Sequence, residues 1–193
     1  MRGGEGPVNL AIVNSSSDGA SYRSREYSTI SQRPVLQLEL EDVPPPPQPP
    51  NDHCADAKVI TSVNFSEIVD TRSAGYDDWD PDPTCVGACC PRNVVWYAYT
   101  PASEGIVAVT TQGSNYDAGV AVYVGTCNGD EDTVLDEVAC AADFCFNDAQ
   151  PSRLSFAAVP GTTYLIMVWD GVDGEGGTLH FNLSQPGWCP GPL

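Results

Sequence analysis

The chain has 193 residues, with 26 Asp+Glu against 8 Lys+Arg for a formal net charge of −18, and 41% of it is apolar. That length holds one domain with an appendage, and the apolar share is enough for a core. The charge excludes nucleic acid as a partner, because contacting phosphates requires clustered Lys and Arg.

Membrane insertion is not expected, since no apolar run reaches the roughly eighteen residues a spanning helix needs. Met1-Arg2-Gly3-Gly4-Glu5 opens without the apolar stretch of a signal peptide, so the expectation is a processed chain or part of a longer frame. In chain order, Val8–Val13 and Val35–Glu41 alternate like strands: Val8, Leu10 and Ile12 face one way, and Leu36, Leu38 and Leu40 alternate with Gln37, Glu39 and Glu41. About forty residues without a cysteine cannot form an independent sheet. Residues 1–42 therefore read as an arm of strands that must pair with something else, because bare amphipathic edges are sticky. The Pro-rich run at 43–50 then reads as an extended, stiff linker.

Residues 51–193 carry four basic and twenty acidic groups and all 8 cysteines. Candidate strands are Lys58–Val63, Asn93–Thr100, Ile106–Thr111, Gly119–Val124, Thr133–Ala139, Arg153–Val159, Thr163–Asp170 and Thr178–Ser184. Turn signals such as Asn128-Gly129 and Pro160-Gly161 separate them. The pattern predicts an all-β, jelly-roll-like antiparallel β-sandwich. In the last strand Leu179, Phe181 and Leu183 are expected to face inward, with His180 solvated on an edge. Trp96 is expected in the core, and Trp79, Trp169 and Trp188 are candidates for a sugar-stacking platform that burial of Trp169 would dissolve. The cysteines read as disulfides of an oxidising, extracellular setting, because the two histidines do not complete a zinc site. Sequence leaves the connectivity open; one pairing, Cys127 with Cys140 across an acidic loop, is put forward.

Several stretches together resemble a known family. They are Asn51-Asp52-x-Cys54, Val95-Trp96-Tyr97-Ala98-Tyr99-Thr100-Pro101, Tyr116-Asp117-Ala118-Gly119-Val120, Phe146-Asn147-Asp148, Pro160-Gly161-Thr162-Thr163-Tyr164 and Gly176-Gly177-Thr178-Leu179. Over about 51–185 they resemble the bacterial pre-peptidase C-terminal (PPC-like) domain, a jelly-roll-type sandwich attached to secreted proteins. Tyr22-Arg23-Ser24-Arg25-Glu26 through Arg33-Pro34-Val35-Leu36-Gln37-Leu38 resembles the end of a DNRLRE-type domain, another secreted β-sandwich family.

No Gly-x-Ser-x-Gly elbow, His-Glu-x-x-His helix or phosphate-cradling Gly loop occurs, and the chain reads as non-catalytic. Calcium is the cofactor expectation, because hard cations want carboxylates on turn-rich loops. The candidate ligands are Asp77, Asp78, Asp80 and Asp82, with Asp117 and Asp148 added by the family resemblance. Two functions follow. One is an extracellular structural protein that assembles with copies of itself into a filament or surface layer by donating Val8–Val13 and Val35–Glu41. The other is an accessory calcium- or carbohydrate-binding module of a larger secreted hydrolase or adhesin, with extracellular polysaccharide as partner.

Overall fold

The structure is a computed structural model in which residue 28 and residues 44–86, 91–142, 152–171 and 174–185 are described. The strands expected at Val8–Val13 and Val35–Glu41 lie outside them, as do Asp148, Trp188, Cys89, Cys90, Cys145 and Cys189. The DNRLRE-like stretch, residues 22–41, also lies outside them except for Ser28.

A compact unit begins at Pro44. Its proline run belongs to the unit: Pro49 is buried, the Ser73 hydroxyl donates to the Pro46 carbonyl at 2.7 Å, and the Asp52 N–H donates to the Pro49 carbonyl at 3.2 Å. The stiff segment expected as a linker is thus laid on the domain that it leads into.

The domain is a β-sandwich. Among the described residues a 3-10 turn, Cys54–Asp56, precedes nine strands: β1 (Lys58–Ile60), β2 (Phe65–Asp70), β3 (Arg92–Tyr99), β4 (Gly105–Thr110), β5 (Ala118–Thr126), β6 (Val134–Ala141), β7 (Arg153–Ala158), β8 (Tyr164–Asp170) and β9 (Thr178–Ser184). A five-stranded sheet runs β1-β3-β8-β5-β6 and a four-stranded sheet β2-β9-β4-β7. All pairs are antiparallel except β1 with β3. The eight expected strands are all present.

The added strand, β2, was hidden by its own pattern. Glu67 is half-buried while Ile68 is 65% exposed on the opposite face, so the apolar alternation that reveals a half-buried strand is broken. His180 was placed on an edge, but β9 is internal, between β2 and β4. Its ring lies against Gly113, where a Cβ would come within 3.1 Å of it.

Alternation explains the burial. Val95, Tyr97, Val120, Val122, Ile166 and Val168 of the five-stranded sheet meet Val107, Val109, Leu179, Phe181 and Leu183 of the other. The Tyr97 and Phe181 rings stack across the gap with centroids 3.8 Å apart. The residues in between, Val94, Trp96, Ala121, Tyr123, Leu165, Met167 and Trp169, form a second cluster on the outer face, beneath Cys54 and Val86. The five-stranded sheet is therefore covered on both sides, and β8 is buried at all seven positions, as a near-continuous apolar run requires. Among the described residues the four-stranded sheet is covered on one side, so β9 and β7 keep a clean in–out alternation.

Candidate functional site

The outer cover of the five-stranded sheet is built from loops, which need attachment because they lack a ladder of their own. Asn51 supplies one point, its backbone carbonyl accepting the Trp96 N–H at 2.8 Å and its side-chain amide donating to the Trp96 carbonyl at 2.9 Å. The Gly75 carbonyl accepts the Val94 N–H at 2.8 Å. Two disulfides complete the attachment: Cys54–Cys127 and Cys85–Cys140.

This corrects the expected Cys127–Cys140 pair. Cys127 follows the end of β5, whereas Cys140 lies opposite Ala121, near the other end of the β5–β6 hairpin. At roughly 3.3 Å per residue, that separation far exceeds the ~7 Å Cα span of a disulfide. Each cysteine reaches instead to a covering loop. A sequence reading limited to neighbouring strands could not see this, because the partners are separated by 73 and 55 positions.

The acidic run at Asp77–Asp82 belongs to this cover, and its carboxylates have protein partners. Asp77 hydrogen-bonds the Nδ1 of His53. That bond is the leading cause holding the His53 pKa above its ordinary value, and the Asp77, Asp52 and Asp56 charges add to it against the effect of burial. Asp80 is only 7% exposed, and its Oδ2 accepts the Asp77 N–H at 2.9 Å. Burial pushes its pKa up to about 6; the Asp77 N–H and the nearby Trp96 indole N–H act in the opposite direction. The Tyr76 hydroxyl donates to Asp82 Oδ1 at 3.0 Å and to the Asp80 carbonyl at 3.1 Å. Asp78 is exposed.

Asp117 is buried where β5 begins, and its carbonyl accepts the Gly171 N–H at 3.1 Å. The structure thus brings Asp77, Asp80 and Asp82 into one loop but gives each a different partner. Among the described residues no three His, Cys, Asp or Glu side chains form a group that could hold a metal ion. Trp96 and Trp169 are fully buried, so Trp169 leaves the expected sugar-stacking platform; Trp79 is 49% exposed, and Trp188 lies outside the described residues.

Sequence reasoning missed two partners of the acidic loop. Glu137 of β6 accepts the Thr84 N–H at 2.8 Å and also bonds the Thr84 hydroxyl, next to the Cys85–Cys140 bridge. Tyr76 was not singled out because its role depends on the fold of the loop rather than on a motif. Among the described residues neither imidazole bonds a hydroxyl or thiol side chain: His53 faces carboxylates, and the Ser114 hydroxyl accepts the backbone N–H of His180 at 3.0 Å.

Two open clefts lie elsewhere. One, of about 630 Å³, is lined by Thr61, Ser62, Tyr99, Ser103, Glu104 and Gln185 among others. In it the Tyr99 hydroxyl donates to Gln185 Oε1 at 3.2 Å, and Gln185 Nε2 donates to the Ser103 carbonyl at 3.3 Å. The other, of about 490 Å³, is more apolar and lined by Glu104, Gly105, Ile106, Ala157, Ala158 and Val159. Beside it runs β7, which pairs only with β4 among the described residues.

No family model matches the chain, and no curated protein matches it. Among solved structures it is similar to the pre-peptidase C-terminal domain of collagenase from Bacillus anthracis, at 13% identity over 73% of this chain and 100% of that one, with a TM-score of 0.41. It is similar to MopE, a copper-binding secreted protein of Methylococcus capsulatus, at 9% identity over 67% of this chain and 87% of that one, with a TM-score of 0.41. It is also similar to CorA, a surface-associated copper-binding protein of Methylomicrobium album BG8, at 15% identity over 67% and 98%, with a TM-score of 0.38.

Proposed function

We propose that this chain is a non-catalytic extracellular structural protein that assembles with copies of itself, strands Val8–Val13 and Val35–Glu41 of one copy adding to a free sheet edge of the next. The observation that carries this reading is the open four-stranded sheet. Its outer strands β2 and β7 each pair on one side only among the described residues. An unpaired strand edge offers a row of backbone N–H and C=O groups, and an added strand satisfies them all at once. The chain itself supplies two alternating segments ahead of Pro44 that are too short to build a sheet alone. A head-to-tail contact of this kind extends into a filament when the rotation does not close. The Cys54–Cys127 and Cys85–Cys140 bridges support the extracellular placement, since disulfides persist in oxidising surroundings.

Light scattering of the full chain and of a variant lacking residues 1–42 tests the proposal. The full chain is expected to form oligomers, and the shortened chain a folded monomer. Oligomers of equal size from both would refute it. The open cleft that presents Tyr99, Glu104 and Gln185 supports a second reading, an accessory module that binds the hydroxyl groups of a polysaccharide. That reading expects a monomer whose amide signals around Gln185 shift on adding soluble oligosaccharide.

A further inference from the structure

Four strands border the two sheets, and they are not equivalent as acceptors. β1 offers three residues. β6 has eight, but its register shifts opposite Val122 and Tyr123, and it carries Asp136 and Glu137 beyond a turn holding Asp130, Glu131 and Asp132. An incoming segment with Glu39 and Glu41 would place like charges side by side there. β2 carries Glu67 and Asp70, and the Lys58 ammonium of β1 pairs with Glu67 and lies 6.0 Å from the Phe65 ring centroid, so β1 borders that flank. β7 is different. It too has a strand of the other sheet, β6, beside it, but it pairs with β4 over six residues without a register shift, contains no acid, and holds an exposed Arg153 that makes no ion pair with any described residue.

We infer that β7 is the acceptor edge, and that Val35–Glu41 of a second copy adds to it antiparallel with Glu41 opposite Arg153; this rests on the strand-donation reading above. Along β7, Leu154, Phe156 and Ala158 face the core while Arg153, Ser155 and Ala157 face out, and the following Val159 is 57% exposed. In this register Leu40, Leu38 and Leu36 stand opposite Leu154, Phe156 and Ala158 and extend the inward row. Glu41, Glu39 and Gln37 stand opposite Arg153, Ser155 and Ala157 on the outward face. Val35 then meets Val159, next to the apolar cleft that also contains Ile106. A one-residue slip would turn all three leucines to solvent. A parallel alignment that keeps the leucines inward would put Val35 opposite Arg153 and Glu41 opposite Val159, losing both complementary pairs. The antiparallel register is the one in which apolarity and charge agree.

The test is a charge exchange in the full chain, read by concentration-dependent light scattering at low ionic strength, with thermal unfolding as the control for folding. Arg153→Glu and Glu41→Arg are each expected to weaken self-association about fivefold or more, since like charges directly across a strand pair repel. Combining the two is expected to restore association to within about threefold of the original. Arg153 is exposed, so its replacement should leave the unfolding temperature of the subunit unchanged. If removing residues 1–42 abolishes assembly while both single variants assemble normally, the arm uses another edge; this inference falls and strand donation stands. If assembly survives the deletion, or the full chain is a monomer at every concentration, both fall.

Discussion

Removing the Cys85–Cys140 bridge by a double change to Ala tests how the loop cover is held on the five-stranded sheet. The cysteines are 55 positions apart, and a bridge closing a loop of that size restricts the unfolded chain by about 4 kcal/mol in the chain-entropy account. Cys54–Cys127 spans an overlapping stretch and already restricts part of it, so a loss of about 2–4 kcal/mol is expected. For a unit of this size that lowers the unfolding temperature by roughly 5–15 °C. Trp96 and Trp169 lie in the outer-face cluster beside Cys85, which makes intrinsic fluorescence a local probe. Denaturant unfolding followed by fluorescence and by far-UV circular dichroism should show the loss in both signals, with the fluorescence change preceding the other as the cover lifts first. An unchanged midpoint and coincident, unshifted transitions would show that the bridge does not hold the cover.

Gly119 pairs with Trp169 across β5 and β8, and a Cβ there would lie 2.3 Å from the indole. Gly119→Ala should therefore cost about 2–3 kcal/mol in urea unfolding, and a neutral result would contradict the packing. Asp80 has a folded pKa of about 6, raised chiefly by burial, so the native state binds the extra proton and stability falls as pH rises from about 4 to 6. Asp80→Asn, which can still accept the Asp77 N–H, should be more stable than the parent by about 1–3 kcal/mol at pH 8 and equal to it at pH 4; a destabilised variant at pH 8 would refute this. The His53 pKa is raised by Asp77, so its contribution is complete below its ordinary value and fades as pH climbs through the raised one. His53→Ala should accordingly lower the unfolding temperature at pH 5.5 and have little effect at pH 8.5. Calcium held at Asp77, Asp80 and Asp82 predicts that millimolar calcium raises the unfolding temperature by several degrees and that Asp77→Asn loses the rise; no shift in the parent would remove the site.

What could be read from the chain was whatever a local pattern encodes. The period-two burial of Leu179, Phe181 and Leu183 follows from a sheet with one wet face, and it is visible in seven residues. Trp96 was recognisable as core because it stands in an unbroken apolar run, as a strand covered on both faces does. β2 was not recognisable, since Glu67 turns inward toward Lys58 and Ile68 turns out. The cover itself was the least legible part. Cys54 opens a single 3-10 turn, Cys85 and Val86 lie in an irregular loop, and what places them is contact with Trp96, Tyr123 and Met167 from distant parts of the chain. In the acidic run the sequence shows carboxylates side by side, but it does not show the partners that the fold gives them, His53, the Asp77 backbone and Tyr76.

Hydrogen exchange on the full chain, compared between concentrations at which it is assembled and dilutions at which it is not, addresses self-assembly most directly. Strand donation predicts that the amides of Val8–Val13 and Val35–Glu41 exchange slowly in the concentrated sample and quickly on dilution, while those of β3 and β8 stay protected in both. Equal exchange of the two N-terminal segments at every concentration would contradict it.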